Sequence, residues 1–167
     1  MSDYFIKNNR VNPKFLCHNT TEDIKRKYGK PIRNSRLLTE IKVPYPMVLA
    51  WNTKSNITRI KCHKKVAKPL ADALYHIKHY PDMIKTLGLN LYAGCYNYRR
   101  VRGGRYLSAH SWGIAIDINS SGNPFRCQPK NTVLGRNPEL ALKFANIMLR
   151  YGFKTLEYDL MHYQFVL

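Results

Sequence analysis

Apolar residues return along this chain at two spacings. At Leu70, Ala73, Leu74 and Ile77 the interval is three to four residues, which lines one face of an α-helix. That helix is predicted to begin near Lys68, with Pro69 in its first turn, and to stop before Pro81. A short helix running from Pro81 toward Gly88 follows. A fuller set of signals marks the region from 137 onward: Asn137 as N-cap, Pro138 and Glu139 in the first turn, and Gly152 as a left-handed stop. Leu140, Phe144, Ile147 and Tyr151 form its apolar stripe, and Arg136, Lys143, Asn146 and Arg150 lie roughly opposite. Elsewhere the period is two. "GIAIDI" and "HYQFVL" read as strands, as do the β-branched and aromatic runs "IKVPYPMVLAW" and "SNITRIKCH". Pro44 and Pro46 then have to lie at an edge or before the strand proper. Residues 1–40 are polar and basic, broken by Pro13, Gly29 and Pro31, with one short helix near Thr21–Tyr28. The expectation is an α+β domain, a small and mostly antiparallel sheet covered by helices. Residues 1–40 are expected as a largely irregular extension packed on a unit formed by 41–167.

Composition narrows the class. A chain of 167 residues with 44% hydrophobic content can bury a core without staples. No run of about 18 apolar residues appears, so no membrane span is expected. "MSDYFIKNNRVNPKF" lacks an apolar stretch of the secretory kind, which predicts synthesis in the cytoplasm without a signal peptide. Cys17, Cys62, Cys95 and Cys127 form no close pair of the metal-knuckle type and read as free, packed thiols. Charge is less ordinary: 28 Lys and Arg against 10 Asp and Glu leave +18. A field of that sign favours a polyanionic surface, whether nucleic acid, anionic lipid or an acidic wall polymer.

The chemistry concentrates in "SAHSWGIAIDIN", Ser108 to Asn119, where one histidine and one aspartate stand seven apart among apolar or small residues. On the strand Ile114, Ile116 and Ile118 share one face, so Ala115 and Asp117 share the other. A half-buried aspartate needs compensation, from a hydrogen-bonding partner or a metal ion. His110 precedes Gly113, where the chain can bend, so the loop histidine and strand aspartate can converge. Near the other end, "LEYDLMHYQF" holds Asp159 and His162 three apart, which on a regular strand puts them on opposite faces. They serve one site only if Asp159 precedes the strand on a turn and His162 opens it. With His110, Asp117 and His162 as ligands, a zinc ion would keep an open fourth position, the pattern of a catalytic site. The water there would have a pKa near 7, and Asp159 would act as general base. Glu157 competes for that role but would face away.

Ser108, His110, Gly113, Ala115 and Asp117, followed by Asp159 and His162, resemble the S-x-H-x-x-G-x-A-x-D and acid-x-x-H motifs of a zinc peptidase family. That family comprises D-alanyl-D-alanine carboxypeptidases and phage L-alanyl-D-glutamate endopeptidases, with a hedgehog/DD-peptidase-like fold. The aspartate in the acid position and "HYQF" are similar to the phage endolysin branch. So is the basic lead-in "YNYRRVRGG", whose Arg99 the resemblance assigns to the oxyanion or a substrate carboxylate, with Arg100 and Arg102 as alternatives. It implies a single catalytic zinc, cleavage of the L-Ala–D-Glu bond, and release through a holin or delivery on a virion. Removal of a terminal D-Ala is the alternative within the same chemistry. Leu160 stands where a proline is common, which predicts a looser turn around Asp159.

Remaining residues have plainer readings. Ser108 is expected to hydrogen-bond its loop or a ligand, since no G-x-S-x-G turn surrounds it. Trp112 is a packing residue beside the site or a substrate contact. His18, His63, His76 and His79 are read as structural. A monomer is expected, held at the anionic wall by its charge. A nucleic-acid-binding protein, suggested by the charge and 12 tyrosines, is a remote alternative without a binding motif. A non-catalytic zinc scaffold is a third reading, which the presence of Asp159 disfavours.

Overall fold

A computed structural model describes residues 4–31, 33 and 35–166. The chain opens with a small hairpin, β1 (Ile6–Lys7) against β2 (Arg10–Val11), then helix α1 (Thr21–Tyr28). Two long strands follow, β3 (Leu38–Leu49) and β4 (Asn52–His63), then helices α2 (Lys64–Lys78) and α3 (Pro81–Leu87). After β5 (Leu91–Gly94) and β6 (Ala115–Ile118) come α4 (Val133–Arg136), α5 (Pro138–Arg150), β7 (Phe153–Leu156) and β8 (Asp159–Phe165). Six strands form one mixed sheet in the order β4-β3-β5-β6-β8-β7. All its pairs are antiparallel except β3 with β5, which the crossover through α2 and α3 joins in parallel. The α+β architecture with a mostly antiparallel sheet is the one expected.

Helix α2 starts four residues earlier than predicted. β4 runs straight into it, and the His63 side chain caps it by accepting from the Lys65 amide (3.1 Å). Pro69 therefore sits inside the helix, where it removes one hydrogen bond to the preceding turn. Val66, Leu70, Ala73, Leu74 and Ile77 bury the expected face. In α5 the buried set is Ala141, Phe144, Ala145, Ile147 and Met148, so the packed face is turned toward two alanines that the stripe ignored. Asn137 does not cap with its side chain; its amide donates instead to the Val133 carbonyl, ending α4. Gly152 holds the positive φ expected of it after α5, and Gly88 closes α3 in the same way.

Both prolines of β3 lie within the strand, contrary to expectation. Lys42 pairs with Arg59 and Met47 with Ile57, so residues 43–46 stand opposite Thr58 alone. This bulge is where a missing N–H breaks no ladder. The N-terminal region is more ordered than expected. The aromatic pair Phe5 and Phe15, with Val11, Ile24 and Tyr28, belongs to the same apolar core as the sheet and helices. Each such side chain contributes about 1.5–3 kcal/mol on burial. β3 begins at Leu38, ahead of the 40/41 boundary drawn from composition.

Gly113 joins this scaffold to the site. Its φ is +69°, and a Cβ there would stand 3.0 Å from the His63 amide nitrogen. The same amide donates to the Gly113 carbonyl (2.9 Å), locking the loop to the end of β4. Gly113→Ala is expected to cost more than about 1 kcal/mol, read as a lower urea midpoint at unchanged slope; an unshifted midpoint would show that the contact can relax.

Candidate metal centre

The antiparallel pair β6 and β8 sits inside the sheet, in the register Ala115↔Gln164, Ile116↔Tyr163, Asp117↔His162. Directly opposed residues project to the same side, so Asp117 and His162 meet and Ala115 leaves room beside them. His110 arrives from a single 3-10 turn, Ala109–Trp112. Ser108 caps that turn by accepting from the His110 amide (3.4 Å), and Gly113 ends it in the left-handed conformation. The three side chains are all buried and converge. His110 Nε2 lies 3.1 Å from both Asp117 Oδ1 and His162 Nδ1, and His162 Nδ1 is 3.0 Å from Asp117 Oδ1. They form a group that could hold a metal ion.

The protons decide what this triangle wants. His110 Nδ1 lies 2.7 Å from the Cys95 carbonyl, which can only accept, so the ring's proton is held there and Nε2 presents a lone pair. His162 turns Nδ1 inward and Nε2 outward, toward Gln164 Oε1 (3.4 Å), so its neutral ring can offer Nδ1 as a lone pair. Burial alone would raise the Asp117 carboxyl; where the inward ring nitrogens carry protons, donation and attraction from His110 and His162 hold it well below the usual range, and where they do not, they turn lone pairs toward it. Three electron-rich atoms thus face one point. A tetrahedral zinc with bonds of about 2.0–2.1 Å separates its ligand atoms by roughly 3.3 Å, close to the spacing found. Donor type, spacing and proton placement all fit a divalent ion.

Asp159 stands beside this cluster. It is the first residue of β8, not a turn residue ahead of it, and His162 lies within the strand rather than opening it. The two still reach one site because β8 is bulged. Lys154 pairs with Gln164 but Leu156 with Asp159, so residues 160–163 stand opposite Thr155 alone and the strand bends. Asp159 is half-buried, and its Oδ1 is fully buried without a partner among the described residues. Burial pushes its carboxyl up to about 6; the Asp117 charge adds to this, and His162, His110 and Arg99 oppose it. The turn is not loose despite Leu160, which is packed in the core. Glu157 Oε1 accepts from the Val11 amide (3.0 Å), the Tyr158 carbonyl from Arg126 (2.6 Å) and the Thr155 carbonyl from Cys17 (2.8 Å). Glu157 is thus engaged in bracing.

Arg99 is exposed, its backbone fixed to the His110 turn from both sides. Its amide donates to Ser111 Oγ (3.1 Å), which donates to the Arg99 carbonyl (2.8 Å). Its charge acts on Asp159, which sets it apart from Arg100 and Arg102. Trp112 is corrected as a substrate contact: it is 3% exposed and its indole N–H donates to the Gly29 carbonyl (2.7 Å) behind the site. Ser108 is likewise buried and used in capping. His63 caps α2, His76 faces the Tyr151 hydroxyl (3.3 Å), and His79 stacks edge-on with Tyr75. The four cysteines are free. Sequence reasoning passed over Cys95, Ser111 and Gln164. Only Gln164 carried a signal, since two positions beyond His162 lies the same face.

Residues 102–165 match the family model described as D-alanyl-D-alanine carboxypeptidase. The match covers less than half of the chain, yet it takes in His110, Asp117, Asp159 and His162. No curated protein and no solved structure matches. With the buried cluster, the match supports the zinc D-alanyl-D-alanine peptidase family and hydrolytic metal chemistry, without singling out the phage endopeptidase branch.

One divalent ion per chain is the expected outcome of elemental analysis after dialysis against zinc. His110→Ala should bring the ratio near zero; an undiminished ratio in that variant would put the ion elsewhere.

Proposed function

We propose that this chain is a zinc-dependent peptidoglycan peptidase, an endolysin that hydrolyses the L-Ala–D-Glu bond of the wall stem peptide. The observation that carries the proposal is a carboxylate with a buried, unpartnered oxygen beside three converging lone-pair ligands. His110, Asp117 and His162 are the proposed ligands. Zinc held by three protein groups supplies a water acidified to a pKa near 7 and a Lewis acid for the peptide carbonyl. Asp159 takes a proton from the attacking water and delivers it to the departing amine, a role its raised pKa suits. Arg99, held at the rim by Ser111, offers a guanidinium to the developing oxyanion or a substrate carboxylate. The basic surface keeps the enzyme on an anionic wall. No helix among the described residues is long and apolar enough to cross a membrane. Arrival at the wall by holin-type release or virion delivery follows from the resemblance to the phage branch alone, and action as a monomer is part of the proposal.

An aspartate in the acid position and the "HYQF" ending favour the endopeptidase branch. The description of the matched family favours the second reading, removal of the terminal D-Ala. Digestion of purified muropeptides followed by mass spectrometry separates them, because the first splits the stem after L-Ala and the second releases one alanine. Chelation should abolish either product; cleavage that survives it would remove the metal from the mechanism.

Asp159→Asn should keep the ion and lose about 10²–10⁴-fold in kcat. Full activity in that variant would transfer the proton role to another group. Asp159 must be ionised to act, so kcat/KM should fall as pH drops through its pKa. The bound dication pulls that value down, which puts the acid limb at or below about 6. A limb centred above 7 would assign the titration to a different group.

A further inference from the structure

His110 and His162 face the same point with different nitrogens, Nε2 in the first and Nδ1 in the second. A neutral imidazole offers a lone pair from only one nitrogen, and the proton's partner on the other decides which. For His110 that partner is the backbone carbonyl of Cys95. For His162 it is a side chain, Gln164, two residues along β8 and on the same face, opposite the small Ala115.

Two observations separate Gln164 from a residue kept for packing. Its Oε1 is the atom turned to His162 Nε2, at 3.4 Å, long for a hydrogen bond but within reach of one that tightens. Its amide nitrogen is buried without a partner among the described residues. An orphaned buried donor costs about 1–3 kcal/mol, a penalty that a methionine of similar size would avoid. The amide stands where an apolar chain would pack more cheaply, and the one polar atom it engages is the oxygen turned to His162.

We propose that Gln164 is a positioning residue of the metal centre. By accepting the Nε2 proton of His162, it makes Nδ1 the ligating atom and orients the ring toward Asp117 and His110. The proposal rests on reading His110, Asp117 and His162 as metal ligands, and it adds the group that selects the nitrogen used.

The test compares zinc affinity, by competition with a chromophoric chelator, in the full chain and in Gln164→Met and Gln164→Glu. A packing role predicts that Met is tolerated and that Glu, a buried charge, is damaging. Positioning predicts the reverse order. Met should weaken zinc binding about 10–100-fold, the usual cost of losing such a partner, while Glu, still an acceptor, should bind within a few-fold of the parent or tighter. Nitrogen-resolved NMR of the imidazoles in the zinc-loaded parent should find the His162 proton on Nε2. Glu weaker than Met, Met within about threefold of the parent, or a proton on Nδ1 in the loaded parent would each overturn the proposal. If Met fails to fold, the Glu affinity and the proton position decide alone. A parent chain that takes up no zinc would overturn the metal reading itself; a parent that binds with an unchanged Met variant would overturn only the role of Gln164.

Discussion

The site depends on a repulsion that the fold enforces. Two imidazole nitrogens and a carboxylate oxygen are held about 3 Å apart, while the outer ring nitrogens face a carbonyl and an amide oxygen. In water these groups would move apart or take up protons. Here the β6–β8 ladder holds Asp117 against His162, and the capped turn closed by Gly113 holds His110 over them. A divalent cation at that point would turn this cost into attraction, so strand register would set the affinity for the ion. A slip of one residue on either strand would turn one ligand to the opposite face.

Around that point the protein grades its electrostatics. Asp117 is kept anionic by its neighbours, while Asp159, a short distance away, is kept basic by burial. Two neighbouring carboxylates thus differ in proton affinity because of their surroundings. Arg99 lies on the open side, its side chain exposed but its backbone fixed to the same turn that carries His110. Asp159 and His162 share β8, and His110 shares its turn with the Arg99 backbone.

Much of this was legible in the amino-acid pattern. Period-two spacing in "GIAIDI" put Asp117 on the face away from Ile116, and the loop before Gly113 brought His110 to it. Irregularities were harder to read. Alternation assumes an unbroken strand, so the bulges in β3 and β8, which house two prolines and bend Asp159 into place, were invisible to it. The start of α2 is set by β4 feeding into it and by a histidine cap, neither of which is a propensity signal. In α5 the alanines that pack closest are too small to register as a stripe. Trp112 could be read as packing or as a substrate contact because indole size says nothing about which way it faces; a carbonyl from the distant Gly29 fixes it as packing.

The strut from Glu157 to the Val11 amide, together with that from Cys17 to Thr155, ties the amino-terminal hairpin to the loop that presents Asp159. Residues more than a hundred positions upstream thereby act as a splint for Asp159. Changes near the beginning of the polypeptide can then shift the placement of Asp159 from afar, so the opening segment is a structural support of the candidate site.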